Sequence, residues 1–176
     1  MIYIFFAPGF EEIEAVGTLD MLRRAEITVK SVGVGGKVVT GSHGIAVVCD
    51  LSESEISFAG LKGIVLPGGM PGTLNLEKSE AVQAAIDYCA ARGLLICAIC
   101  AAPSILGNLG LLKEKRYTCF TGFEERIEGE YTASRVERDD NLITAKGPGC
   151  TIEFALEIIR VLQSDRAARK VEVNLQ

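Results

Sequence analysis

An α/β fold, with a mainly parallel sheet and helices on both faces, is the class this sequence predicts. Three observations predict it. Short, uncharged, apolar runs alternate along the chain with stretches of helical periodicity. Proline–glycine turns follow two of those runs, at Pro8-Gly9 and Pro67-Gly68-Gly69. A third run, 94–99, passes through Cys100 into a segment opening with Pro103, as a strand does when it bends sharply into a helix.

Taken in order, Ile2–Phe6 reads as a first strand and 7–10 as a turn. A helix follows over 11–24, where Ile13, Val16, Leu19, Asp20 and Leu22 trace faces at helical spacing. A strand over 27–34 leads to a short strand pair over 38–48, bent at Gly41-Ser42-His43-Gly44. Gly63–Leu66 is another buried strand, and 79–92 an amphipathic helix with Val82, Ala85, Ile86 and Cys89 on one side. The strand 94–99 and the helix 103–109 flank Cys100. Short strands are expected at 117–120 and 141–145, with the charged 135–141 as a hairpin arm. Thr151–Leu162 reads as the last long helix, and 164–176 as a polar, partly ordered, peripheral tail of one domain spanning 1–176.

Composition narrows the function. The chain has 176 residues, 48% hydrophobic and 23% charged, enough for one aliphatic core without tryptophan. Net charge is −5 and the basic residues are dispersed, so no nucleic-acid footprint is visible. The apolar runs are too short to span a bilayer. The start lacks a basic leader, so a cytoplasmic protein is expected. The six cysteines do not read as a disulfide framework or as zinc ligands, and Cys97-Ala-Ile-Cys100 has its second cysteine at the helix start, the reverse of a dithiol redox motif. Strand alternation is expected to point Cys97 away from the face carrying Ala98 and Cys100. No metal and no cofactor is expected.

Cys100 is the candidate nucleophile. Ala98 and Ala102 flank it at two residues on either side, small enough for a strained turn to push one side chain out of the sheet edge. A thiol at a helix start is expected to favour the thiolate. Active sites of such sheets lie beyond the carboxyl ends of the strands, so the loops 7–14, 67–73 and 99–103 should converge there. Gly68 and Gly69 belong to a turn without the spacing of a phosphate loop, and the N–H groups of Gly69 and Ala101 would face an oxyanion beside Cys100. Glu11 and Glu12 read as a solvated first helical turn, whereas Glu14, flanked by apolar neighbours, is placed to face Cys100 as a proton relay. Asp20 either faces solvent or reaches the pocket. His43 is the only histidine and sits on a separate early hairpin, which argues against a Cys–His hydrolase and suggests a surface or subunit contact.

Together these motifs resemble the ThiJ/PfpI superfamily, whose fold is related to class I glutamine amidotransferase domains. The resemblance runs through Gly9-Phe10-Glu11-Glu12-Ile13-Glu14, Asp20-Met21-Leu22-Arg23-Arg24-Ala25, Val65-Leu66-Pro67-Gly68-Gly69, Ala98-Ile99-Cys100-Ala101-Ala102-Pro103 and Lys146-Gly147-Pro148-Gly149 before Glu153-Phe154-Ala155-Leu156. It implies a flavodoxin-like three-layer sandwich with a nucleophile elbow, and a homodimer. Within the superfamily the chain looks similar to the branch of the Parkinson-associated protein deglycase and its thiamine-biosynthesis-named bacterial relatives.

That branch implies Cys100 as nucleophile, Glu14 as its carboxyl partner, and Gly69 and Ala101 as oxyanion donors. The peptidase branch carries His directly after the cysteine, where this chain has Ala101. The deglycase has a histidine in a region matched here by Thr118-Cys119-Phe120-Thr121, which leaves proton shuttling to Glu14. Several relatives place an Arg across the dimer interface where this chain has His43. The implied activity is a cofactor-independent, glyoxalase- or deglycase-like conversion of small dicarbonyls, aldehydes or glycated adducts, protective under stress. The alternative is a redox-sensing or chaperone-like protein that uses an oxidisable Cys100. A cysteine peptidase or amidase lacks its histidine.

Overall fold

The computed structural model describes residues 1–175. The chain runs β1 (Ile2–Phe6), α1 (Glu12–Arg24), β2 (Val29–Gly33), the hairpin strands β3 (Val38–Thr40) and β4 (Ala46–Val48), β5 (Leu51–Ser52), β6 (Gly63–Leu66), α2 (Gly72–Lys78), α3 (Glu80–Ala90), β7 (Leu95–Ile99) and α4 (Pro103–Asn108). It continues through β8 (Arg116–Tyr117), β9 (Glu130–Tyr131), β10 (Val136–Asp139), β11 (Leu142–Ala145), α5 (Thr151–Leu162) and α6 (Asp165–Val173).

Seven strands form the central sheet in the order β10-β11-β7-β6-β1-β2-β5. All neighbours are parallel except the edge pair β10–β11, where Val136 faces Ala145. Strand alternation divides the core into two layers. Ile2, Ile4, Phe6, Cys97 and Ile99 pack with residues of α1, α5 and α6. Tyr3, Phe5, Ile64, Leu66, Ile96 and Ala98 pack with residues of α2, α3 and α4. The result is the expected three-layer sandwich.

Local chemistry sets the helices. The Glu11 side chain caps α1 by accepting the Glu14 N–H at 2.8 Å, and Arg23 and Arg24 occupy its last turn. Ser79 caps α3 through the Val82 N–H. The tail, expected to be polar and partly ordered, forms α6, which Ser164 caps and which buries Ala168 and Val171; Gln176 lies outside the described residues. One expectation changes. The strand expected over 117–120 stops at Tyr117, because the Thr118 N–H turns to Thr144 Oγ1 and the Phe120 N–H to the Cys100 carbonyl. Among the described residues no helix is long and apolar enough to cross a membrane.

Candidate active site

Cys100 stands one residue past β7 with φ +64°, a left-handed conformation that non-glycine residues rarely adopt. Its N–H holds the Ala145 carbonyl at 2.9 Å and its carbonyl accepts the Phe120 N–H at 2.8 Å. Both backbone groups are thereby anchored in an otherwise unfavourable turn. The reversal of φ also breaks the alternation of β7. Cys100 therefore packs in the same layer as Cys97, against expectation, while Ala98 packs in the other. That layer contains α1, and α1 carries Glu14.

Two glycine-rich loops bring Glu14 to the thiol. The Glu11 N–H donates to the Gly68 carbonyl at 2.9 Å and the Gly72 N–H to the Gly9 carbonyl at 3.1 Å. The contact is too close for side chains: a Cβ on Gly69 would lie 2.4 Å from Glu11 N. A Cβ on Gly68 would lie 2.6 Å from the Cys100 Cβ and 2.8 Å from Glu14 Oε2. The Gly68 N–H instead donates to that Oε2 at 2.7 Å. The three loops expected to converge do so here.

The electrostatics follow from burial. Glu14 is fully buried, and desolvation pushes its carboxyl up to about 7. The Gly68 N–H and the interaction with Cys100 pull the other way, and nearby Glu11 adds repulsion. The Cys100 thiol, 9% exposed, is pushed well above its ordinary value by burial and then by the Glu14 carboxylate. The N–H groups of Ala101 and Gly69 oppose that shift by favouring the charged sulfur. The expectation of a helix-favoured thiolate is corrected: α4 has only six residues and begins three residues later, so burial and the carboxylate dominate. Thiol and carboxyl form a coupled pair.

The other expected residues separate. Glu11 and Glu12 are not solvated; each is 8% exposed. Glu12 grips the hairpin tip. Its Oε1 accepts the His43 N–H at 2.6 Å, and its Oε2 lies 2.8 Å from His43 Nδ1 and 3.1 Å from Ser42 Oγ. Burial raises the Glu12 pKa, but these bonds and a local backbone bond outweigh it and bring the carboxyl to about 2. The bond to Glu12 raises the His43 pKa. The ring is largely exposed, and among the described residues no hydrogen bond links it to Cys100 or Glu14. Asp20 does not reach the pocket. It is exposed and pairs with Arg24 at 2.7 Å, because six residues of helix carry it about 120° around from Glu14.

Ligand atoms of Glu11, Glu12 and His43 lie within 4.8 Å of one another. Their oxygens already bind Ser42, His43 and the Glu14 N–H, so the group acts as a structural clamp. Sequence reasoning missed that clamp and missed Phe120. Phe120 is 46% exposed and lies against Gly147, 3.2 Å from where a Cβ would be. No local pattern announces contacts made across the fold.

The arrangement matches known proteins along the whole chain. The sequence pattern of the DJ-1/PfpI family fits residues 1–161. The chain belongs to the DJ-1/PfpI family. It is 38% identical over 172 residues to Protein DJ-1 homolog B of Arabidopsis thaliana, covering 94% of this chain but only 39% of that protein. It is 34% identical over 156 residues to the glutathione-independent glyoxalase DJR-1.2 of Caenorhabditis elegans, covering 87% of this chain and 83% of that one. A crystal structure of a DJ-1 superfamily protein from Salmonella typhimurium superposes with a TM-score of 0.93 at 39% identity, over 99% of this chain and 96% of that one. The DJ-1/PfpI fold accordingly accounts for the elbow at Cys100 and the sheet around it.

Proposed function

We propose that this DJ-1/PfpI chain is a cofactor-independent cysteine enzyme that converts small reactive dicarbonyls, or their early adducts, to hydroxy acids. One observation carries the reading: a buried carboxyl poised near neutrality is coupled to a thiol whose charged form the Ala101 and Gly69 N–H groups favour. The name of the C. elegans relative, a glutathione-independent glyoxalase, supports the reaction class.

With methylglyoxal, the Cys100 thiol would pass its proton to the Glu14 carboxylate as the sulfur bonds to the aldehyde carbon. The carbonyl pair would move onto oxygen, steadied by the Gly69 and Ala101 N–H groups, and take the Glu14 proton. The Glu14 carboxylate would then remove the hydrogen of that carbon as a proton. It would return that proton to the adjacent carbon and carry the hydroxyl proton from the first oxygen to the second, leaving a thioester. Water would hydrolyse the thioester, releasing lactate and the thiol. Every proton transferred passes through Glu14, and no redox partner is needed. The test is lactate formation from methylglyoxal without glutathione. Turnover by wild type and none by Cys100→Ala supports the proposal; no turnover by freshly reduced wild type refutes it.

The same residues support a second reading, in which peroxide converts Cys100 to a sulfinate held by Glu14 and the two N–H groups. An oxidation-dependent change in partner binding, without turnover, would favour it.

The active form we propose is a homodimer. Ile13 and Val16 on α1 are exposed, as are Val38, Ile45 and Val48 on the hairpin that Glu12 ties to α1. A second copy would cover this apolar patch. All six cysteines are free, which fits a reducing compartment, and we assign the chain to the cytoplasm.

A further inference from the structure

Glu14 and Thr18 occupy the same buried face of α1, one helical turn apart, and neither is exposed at all. Each carries one oxygen without a hydrogen-bond partner, Glu14 Oε1 and Thr18 Oγ1. Among the described residues no other buried side-chain nitrogen or oxygen is left so. Native folds seldom leave such groups bare without a use. A helical threonine ordinarily returns its hydroxyl to the carbonyl four residues back, yet Thr18 makes no such bond. Helical side chains lean toward the N-terminus, so Thr18 leans over the turn that carries Glu14, whose own carboxyl reaches on to the Gly68 N–H. Cβ atoms at this spacing are about 5–6 Å apart.

The two Glu14 oxygens are inequivalent. Oε2 accepts the Gly68 N–H and remains an acceptor in either protonation state. The proton therefore enters and leaves at Oε1. Once it has left, Oε1 is a buried carboxylate oxygen with no backbone donor, and Cys100 is the one side chain that favours the charged carboxyl. We propose that Thr18 is a positioning residue whose hydroxyl donates to Oε1 of the ionised carboxylate and so sustains the proton relay. Rotation about χ1, which has two accessible wells for threonine in a helix, would turn the hydroxyl toward the Glu14 turn. The threonine keeps its proton; only Glu14 exchanges one. The titratable groups acting on Glu14 are Cys100 from the elbow and Glu11 from the loop before α1, and Thr18 adds the missing neutral donor.

The inference rests on the Glu14–Cys100 pair of the proposed function but not on its substrate. The test is the rate at which iodoacetamide alkylates Cys100 between pH 5 and pH 9, read by peptide mass, alongside thermal melting. In Thr18→Val the midpoint should move upward by roughly one pH unit, because the ionised carboxylate has lost a donor. Thr18→Ser, which keeps the hydroxyl, should retain the wild-type midpoint. An unchanged midpoint in Thr18→Val, with equal or higher melting temperature, would overturn the inference and make the hydroxyl a packing defect. A shift in Thr18→Ser as large as in Thr18→Val would overturn it too, since volume and not the hydroxyl would then matter. Should Thr18→Val fail to fold, Thr18→Ala gives the same reading. Alkylation needs no substrate, so absence of methylglyoxal turnover would sink the proposed reaction while leaving this result intact.

Discussion

Gly68 donates its backbone N–H to Glu14 Oε2 at 2.7 Å, joining residues 54 apart in sequence, and its missing side chain leaves room for the Cys100 Cβ. One residue thus orients the carboxyl and spaces it from the thiol. In Gly68→Ala the added carbon would stand 2.6 Å from the Cys100 Cβ and 2.9 Å from the Ile99 carbonyl oxygen, neither on a flexible side-chain end. We expect destabilisation of about 1–3 kcal/mol by melting, and a loss of turnover of about 100-fold from the displaced pair. Full activity in this variant would mean that the carboxyl–thiol spacing is unimportant.

Glu14→Gln separates stability from chemistry. The carboxyl is raised from its ordinary 4.5 to about 7, chiefly by burial. Between those values the folded chain holds a proton that the unfolded chain has released. Wild-type stability therefore falls as pH rises through that window, by about 3 kcal/mol. Glutamine cannot ionise, so the variant should lack this fall, be the more stable at pH 8, and show no turnover. Parallel melting curves from pH 4 to 8 would contradict the assigned burial cost.

Turnover itself should depend on pH in the opposite sense. Below about 7 the pair holds two protons and the sulfur is a neutral thiol. The value of kcat/KM should fall tenfold per pH unit on the acid side and level off above the midpoint. A profile flat from pH 5 to 8 would mean that another group carries the proton.

The Glu12–His43 clamp predicts a pH-sensitive hairpin. His43 is raised by its bond to Glu12, so the clamp is complete below pH 6.5 and weakens as pH rises through the raised His43 value. On the acid side, Glu12 contributes fully above 4.5 and is lost as pH falls through about 2. Amide exchange of residues 41–46 should accelerate above the His43 midpoint, and in His43→Ala at every pH. Exchange insensitive to both changes would show that the hairpin is held by its backbone bonds to residues 9 and 10 alone.

Ile13→Asp tests the apolar patch. Ile13 is 60% exposed, so a monomer should tolerate aspartate within about 0.5 kcal/mol. A dimer formed across this face should dissociate, read as halved mass by light scattering. Unchanged mass with unchanged stability would exclude the patch as the interface.

Much of the architecture was written locally. Alternating apolar runs identify β1, β6 and β7, Ser79 marks the start of α3, and Ala98, Cys100 and Ala102 mark the elbow, because strand pairing, capping and tight turns each depend on a few adjacent residues. Where a long-range contact competed with the local pattern, the local pattern lost. Glu11 and Glu12 looked solvated until the hairpin and the Gly68 loop closed over them. The polar tail, read as partly ordered, is fixed as α6 by Ala168 and Val171, buried in the layer of α5.

The sequence by itself determined that Cys100 would be thrust out at the end of a buried strand and that Glu14 would be the acidic residue set among apolar neighbours. Only the tertiary structure decided the state of that pair. The charge on a buried carboxyl depends on how much water the surrounding layers exclude and on which N–H groups reach it. For Glu14 those layers and that N–H come from a loop 54 residues away, and the thiol from an elbow further still.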